Sequence, residues 1–139
     1  MIGKAVVNIL TGDAGVTALL SSATSVYANA MPQSGSLPAI VFSVITDQYS
    51  HTHQGPDDLV RSLVEIDIYA TQYLAAHNIS TAVRKAMDNA RGSYGGVTIQ
   101  RAAIETAEDA LESPLRGKPD GVHRIRQQWR IGYEVELAS

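Results

Sequence analysis

The 139-residue sequence predicts a mixed α+β fold, in which an antiparallel sheet of about four strands has helices packed on one face. Apolar residues recur at helical spacing over 2–11 and 71–91, and they alternate with a period of two over 59–70 and 123–137. Hairpin-like loops link neighbouring strand patterns. The length is that of one domain, so we expect residues 1–139 to form a single α+β domain.

The start of the chain predicts two short helices around a turn. The first covers 2–11, where the apolar residues lie on one helical face, and Gly12 ends it. A second short apolar run follows over 14–20. The next connection is rich in proline and serine, and Val26 and Tyr27 are predicted to form a short strand within it.

The middle of the chain predicts two antiparallel strands and the principal helix. Residues 39–47 are rich in β-branched and aromatic side chains, which favours a strand covered on much of both faces. A polar loop separates it from a second strand over 59–70, where apolar and polar residues alternate, and the two strands are antiparallel if this loop closes a long hairpin. The pattern then changes to helical spacing over 71–91, with Thr71 as a candidate N-cap.

Two further strands are predicted in the last third of the chain. The apolar phase slips by one residue after Ile99, which predicts a β-bulge near Gln100 or Arg101. Residues 113–121 contain two prolines and two glycines and are expected to be a mobile loop. The final strand covers 123–137.

The final strand has two faces of different chemistry. One is apolar: Ile125, Trp129, Ile131, Tyr133, Val135 and Leu137. The other is charged and polar: Arg124, Arg126, Gln128, Arg130, Glu134 and Glu136. Clustered arginines on a basic protein would indicate phosphate binding, but here both signs share one face of an acidic chain. Such a face favours a protein partner, and a solvated sheet surface is the alternative.

The search for reactive side chains predicts no catalytic residue, no cofactor and no metal site. The chain has no cysteine, which excludes disulfides, thiolate metal sites and thiol catalysis. His51 and His53 could share a transition metal, but the sequence supplies no third or fourth ligand. Asp57 and Asp58 lack the spacing of a calcium loop, and the acidic run over 105–112 lacks that of a catalytic pair.

The charge and the N-terminal pattern exclude two further classes. A formal net charge of −3 gives no global basic field for nucleic acid. The apolar residues at the start are interrupted by Asp13 and by glycines, well short of a membrane span or a secretory signal. We therefore expect a protein made and used without membrane transit and without a membrane partner.

Several segments resemble the tail-completion or tail-terminator proteins of long-tailed phages and related prophages, and the resemblance covers nearly the whole chain. The segments are the N-terminal helices ending in Asp13 and Leu19-Leu20, VYANAMPQ leading into LPAIVF, LVEIDIYA running into the helix ISTAVRKAMDNA, and QWRIGYEVEL. LPAIVF after the Pro-Gln loop is the most specific of them. The resemblance implies an α+β subunit with no catalytic residues.

The resemblance also implies a structural role in the virion tail or neck, for a protein made in the host cytoplasm. Such proteins form a homo-oligomeric ring, usually of six copies, at the head-proximal end of the tail tube. The ring ends tube growth and gives the head–tail connector or stopper protein a docking surface. Its partners would be the tail tube protein and that connector, and DNA would pass through the lumen without specific binding.

A ring also implies a role for the charged face of the final strand. We expect Arg124, Arg126 and Arg130, with Glu134 and Glu136, to lie mainly at subunit contacts or outside the bore. A head-closure or adaptor ring of the phage neck is the nearest alternative function. A small cytoplasmic ligand-binding module or enzyme is the alternative from another class, and it would need a cleft with convergent polar groups.

Overall fold

The computed structural model describes residues 2–22, 25–30, 37–50, 57–88, 90–112 and 122–136. Three helices lie within these ranges: α1 (Ile2–Thr11), α2 (Ala14–Thr17) and α3 (Tyr73–Asp88). The strands are β1 (Val26–Ala28), β2 (Ala39–Ser50), β3 (Asp57–Ala70), β4 (Gly92–Tyr94), β5 (Val97–Glu112) and β6 (Val122–Glu136). None of the described helices is long and apolar enough to span a bilayer.

The six strands form one sheet in the order β1-β2-β3-β6-β5-β4. The four long strands, β2, β3, β6 and β5, are antiparallel neighbours, as the alternation predicted. The predicted number of four was too small, because short strands extend both sides of the sheet. β1 runs parallel to β2, and β4 forms a tight hairpin with β5.

The helices lie on one side of this sheet, and the sheet curls around them. Helix α3 packs on the central strands β3, β6 and β5, whereas α1 contacts β1 and β2 near one edge and β4 at the other. Because α1 touches strands from both edges, the sheet cannot be flat. The core fills the space between, with Trp129, Val64 and Ile79 fully buried.

The ends of the helices differ in part from the sequence expectation. Asp13 caps α2, because its Oδ1 accepts a hydrogen bond from the Val16 amide at 3.1 Å. Helix α3 begins at Tyr73, so the candidate N-cap Thr71 lies two residues before it and does not occupy the capping position. A polar cap favours a helix start locally, but here the strand β3 extends to Ala70.

Irregularities interrupt the two long strands nearest the sheet edges. The predicted bulge is confirmed, because the register of β5 against β6 shifts between Ile99 and Arg101. A second shift follows between Ile104 and Thr106, and β2 has one between Val44 and Thr46. Bulges increase local twist, which fits a curled sheet. The expected loop over 113–121 lies outside the described residues.

Candidate interaction surface

The side of the sheet away from the helices is called the outer face here. On β3 it consists of Arg61, Leu63, Glu65, Asp67 and Tyr69. On β6 it consists of Arg124, Arg126, Gln128, Arg130, Gly132 and Glu134. On β5 it includes Arg101, Ala103, Thr106, Glu108 and Ala110. This face is mostly charged and polar, and no described helix packs on it.

Arg126 is held by two carboxylates of its own chain. Its Nε and Nη2 donate to Oδ1 and Oδ2 of Asp67 at 2.9 and 3.3 Å, and Nε lies 3.1 Å from Oε1 of Glu65. The hydrogen bond to Asp67 raises the pKa of Arg126 above its usual value, against the opposing effect of burial. Asp67 and Arg126 are register partners, so the sheet itself aligns this fork-shaped pair.

The other predicted interface residues of β6 lie along the same row. Arg130 Nε donates to Oε1 of Glu105 at 2.6 Å, and both side chains remain substantially exposed. Arg124 and Glu134 are half-buried. Glu136 is the last residue of β6 and pairs in register with Asp57. The structure therefore brings Arg124, Arg126, Arg130 and Glu134 onto one face, but it places them on an interior strand of the sheet and gives Arg126 and Arg130 intramolecular partners.

A groove of about 500 Å³ crosses the outer face at Gly132. Arg61 of β3 and Arg101 of β5 are the register partners of Gly132 on its two sides. Both arginines are exposed, and neither has an ion pair with a described residue. Because Gly132 has no side chain, the two guanidinium groups border an open strip of backbone. Arg130 and Glu105 line the same groove.

Strands β2 and β5 flank the four long strands of the sheet, and each has an edge that no described residue covers over most of its length. Strand β1 pairs with β2 only at Ile40–Phe42, and the last backbone hydrogen bond along that edge joins the Asn29 amide to Phe42. Strand β4 pairs with β5 only over 97–99. The uncovered part of β2 carries three exposed apolar side chains: Val44, Ile45 and Tyr49.

Comparison with known proteins places this fold. The family model of the tail completion protein gp17 matches residues 4–134. The chain belongs to the phage tail-completion family. A solved chain from the virion of a native gene transfer agent particle matches with a TM-score of 0.64 and 19% sequence identity, covering 94% of this chain and 92% of that chain. No curated protein sequence matches.

Membership in the tail-completion family assigns the protein to the virion tail as a structural component. The family consists of structural proteins and not of enzymes, as the sequence predicted. In the described residues, no three histidine or acidic side chains form a cluster able to hold a metal ion. The histidine pair His51 and His53 lies outside those residues.

Sequence reasoning missed two features of this tail-completion protein. Arg61 and Arg101 were not singled out, because they are 40 positions apart in sequence and only the strand register aligns them beside Gly132. Gln127 was also missed: it is the polar residue on the apolar face of β6, and it is 1% exposed. A polar residue at an apolar position of the alternating pattern was the available signal for Gln127.

Proposed function

We propose that this tail-completion protein is a subunit of a ring, with six copies expected, that caps the head-proximal end of the tail tube. The ring stops tube growth and offers a docking surface to the head–tail connector or stopper protein. Family membership supports the location in the tail. The uncovered edges of β2 and β5 support the cyclic assembly.

The two uncovered edges belong to opposite sides of one sheet and differ in composition. The uncovered part of β2 carries Val44, Ile45 and Tyr49, whereas that of β5 carries the acidic residues Glu105, Glu108 and Asp109. A subunit with two different contact surfaces forms heterologous contacts, which close into a ring when the rotation is suitable. Exposed strand edges are otherwise a liability for aggregation, so their occupation by a neighbour is expected.

The charged outer face fits the same assembly. We propose that Arg124, Arg126, Arg130, Glu134 and Glu136 lie mainly at subunit contacts or outside the bore. Six copies of a chain with a net charge of −3 give a strongly acidic ring. An acidic ring suits a channel through which DNA passes without adhering, since arginines lining the bore would bind phosphate.

The test of this function is electron microscopy of tails assembled with and without the protein. A terminator predicts tubes of variable, excessive length when the protein is absent, together with tails that do not join heads. Adding the purified protein should restore both properties. Tubes of normal length that fail only in head joining would instead support a head-closure or adaptor ring, and normal virions would contradict both assignments.

The proposed role of the β6 arginines is tested by Arg130→Glu. This variant breaks the exposed pair with Glu105 without burying a charge, so the subunit should fold while ring formation and tail joining fail. Arg126→Glu is a less clean test, because it places a third carboxylate beside Asp67 and Glu65. If a folded Arg130→Glu protein still formed rings and joined tails to heads, Arg130 would not belong to the subunit interface.

A further inference from the structure

The groove at Gly132 has the composition of an anion-binding surface. Arg61 and Arg101 lie two strand spacings apart, about 10 Å across the sheet. Nothing lies within 4 Å of the position that a Cβ on Gly132 would take, so the strip between the two arginines is open. A carboxylate lying over Gly132 could accept hydrogen bonds from both guanidinium groups, which bind carboxylates through parallel N–H donors.

The same chain carries an acidic surface farther along the sheet. Glu108 is an exposed outer-face residue whose register partner, Arg126, is already bound to Asp67. No described residue forms an ion pair with Glu108. The next residue, Asp109, is exposed on the helix side of β5, where it contacts His77 of α3 at 3.2 Å. The outer face at this end of β5 therefore presents the carboxylate of Glu108, which forms no ion pair with a described residue of its own subunit.

The two surfaces cannot neutralise each other within one subunit. Arg126 is the register partner of Glu108 and lies six positions before Gly132 on β6. Six positions correspond to about 20 Å along a strand. Side chains of arginine and glutamate do not bridge that distance. Two copies in head-to-tail contact, however, can place the acidic end of one against the groove of the other.

We propose that the groove formed by Arg61, Gly132 and Arg101 receives the acidic end of β5, with Glu108, from the neighbouring copy. The inference rests on the ring proposed above and names a contact between its subunits. It makes the contact heterologous, since one copy contributes its basic groove and the neighbouring copy contributes its acidic strand end. Among the described residues, none pairs with the outer edge of β5 beyond Ile99, so that strand end is open to a neighbour in this part of the structure.

Charge favours a carboxylate over DNA phosphate as the occupant. Glu105 lines the groove and occupies Arg130, so the basic part of the groove is confined to Arg61 and Arg101 and does not extend along a phosphate backbone. The chain is acidic overall, with a net charge of −3, whereas surfaces that bind nucleic acid without sequence readout are basic over an extended area. A short acidic strand end, in contrast, needs only the two arginines.

The contact is tested by charge reversal and recombination. One variant carries Arg61→Glu with Arg101→Glu, and the other carries Glu108→Lys. Each variant alone should assemble at least about tenfold more weakly than wild type, because like charges face each other at every contact. Mixed together, the two variants should form alternating rings of even copy number, because each groove then meets an oppositely charged strand end.

Native mass spectrometry over a concentration series measures the oligomers. In a second assay, each variant is added to tails that lack the protein, and its assembly on the tube is measured. Arg84→Glu with Arg91→Glu is the matched control, since it makes the same charge change at exposed positions outside the groove. This control should assemble like wild type. Circular dichroism verifies that each variant is folded.

A second variant tests the groove without changing its charge. Gly132→Val fills the open strip with a side chain suited to a strand, so the subunit should fold while assembly weakens.

The proposed contact would be overturned if both charge-reversal variants assembled like wild type, or if their mixture did not recover assembly. Neither outcome would contradict the ring itself. If the wild-type protein assembled neither in solution nor on tails, the ring would be refuted as well. If the groove variants lost binding to duplex DNA while their oligomers were unchanged, the groove would be assigned to phosphate instead. If they lost binding to the tail tube while their oligomers were unchanged, the groove would be assigned to the tube protein.

Discussion

At the scale of single residues, Gln127 joins the central strand to the principal helix. Its Nε2 donates to the backbone oxygen of Ser80 at 3.1 Å and to the Ser80 hydroxyl at 2.7 Å. Its Oε1 accepts the indole N–H of Trp129 at 2.8 Å. The side chain is thus fully occupied inside the core, which explains why an amide is tolerated among apolar neighbours.

Gln127→Ala should lower the free energy of unfolding by about 2–4 kcal/mol. The substitution leaves the Trp129 N–H without its acceptor and opens a cavity beneath α3. Gln128→Ala is the control, because Gln128 is a half-buried outer-face residue whose bond from Thr106 is long, at 3.4 Å. Urea unfolding should place the control within about 0.5 kcal/mol of wild type, and equal losses for both variants would contradict the network.

Tyr133 gives the fold an alkaline sensitivity. Burial raises the pKa of its phenol, in part offset by the hydrogen bond with Ser62, and Asp47 nearby raises it further. Since the folded-state pKa lies above the unfolded one, the contribution to stability is complete below about pH 10 and is lost as pH rises through the folded pKa. Unfolding measured at pH 8 and pH 11 should show a smaller loss for Tyr133→Phe than for wild type, and equal losses would refute this cause.

At the scale of elements, the turn between β4 and β5 sets where α1 sits against the sheet. Gly95 has φ of +56°, and a Cβ there would lie 3.0 Å from Cγ of Lys4 and 3.2 Å from the Ala5 backbone nitrogen. The turn therefore contacts the helix directly, with no room for a side chain. This close approach joins the β4 edge of the sheet to α1.

Gly95→Ala should destabilise the protein by about 2–3 kcal/mol, because backbone strain and the contact with α1 act together. Gly96→Ala is the matched control: it also has positive φ, +89°, but nothing lies within 4 Å of the added Cβ. We expect the control to cost about 1 kcal/mol, from strain alone. Thermal unfolding of the two variants measures the difference, and a larger loss for Gly96→Ala would contradict the packing argument.

Elements with long, regular periodicity were predictable from sequence, and short or context-dependent ones were not. Helix α1 and strands β3, β5 and β6 follow from apolar spacing, β2 follows from its β-branched and aromatic composition, and the bulge after Ile99 was visible as a phase slip. Strand β4 was missed because Gly92–Tyr94 has only three residues, and its pairing comes from the hairpin to β5. Thr71 failed as a cap because continuation of β3 to Ala70 overrides local capping preference.

At the scale of the whole molecule, the sequence separated the two faces of β6 but not their position in the sheet. Strand order depends on long-range pairing, which no local pattern encodes, so the β6 arginines could not be placed between β3 and β5. For the same reason, the ion pair of Arg126 with Asp67, 59 residues earlier in the chain, was invisible. The uncovered edges of β2 and β5 emerge only once that order is known.

The β2 edge provides the prediction at this scale. Ile45→Lys introduces a charge at a side chain that is 48% exposed, so the unfolding free energy should stay within about 0.5 kcal/mol of wild type. Ring assembly should nevertheless fail, because a lysine on a strand edge opposes pairing with another chain. Leu74→Lys is the control on α3, where the leucine is 71% exposed, and it should assemble normally. Sedimentation velocity compares the two variants, and equal assembly would exclude the β2 edge from the contact.

The position of Trp129 makes the subunit its own fluorescent reporter. It is the single tryptophan of the chain, fully buried on the helix side of β6 and hydrogen-bonded to Gln127. Its emission should therefore shift to longer wavelength when the core opens to water, and it should stay constant when intact copies associate through their outer surfaces. One spectrum can then separate melting of the subunit from dissociation of the assembly.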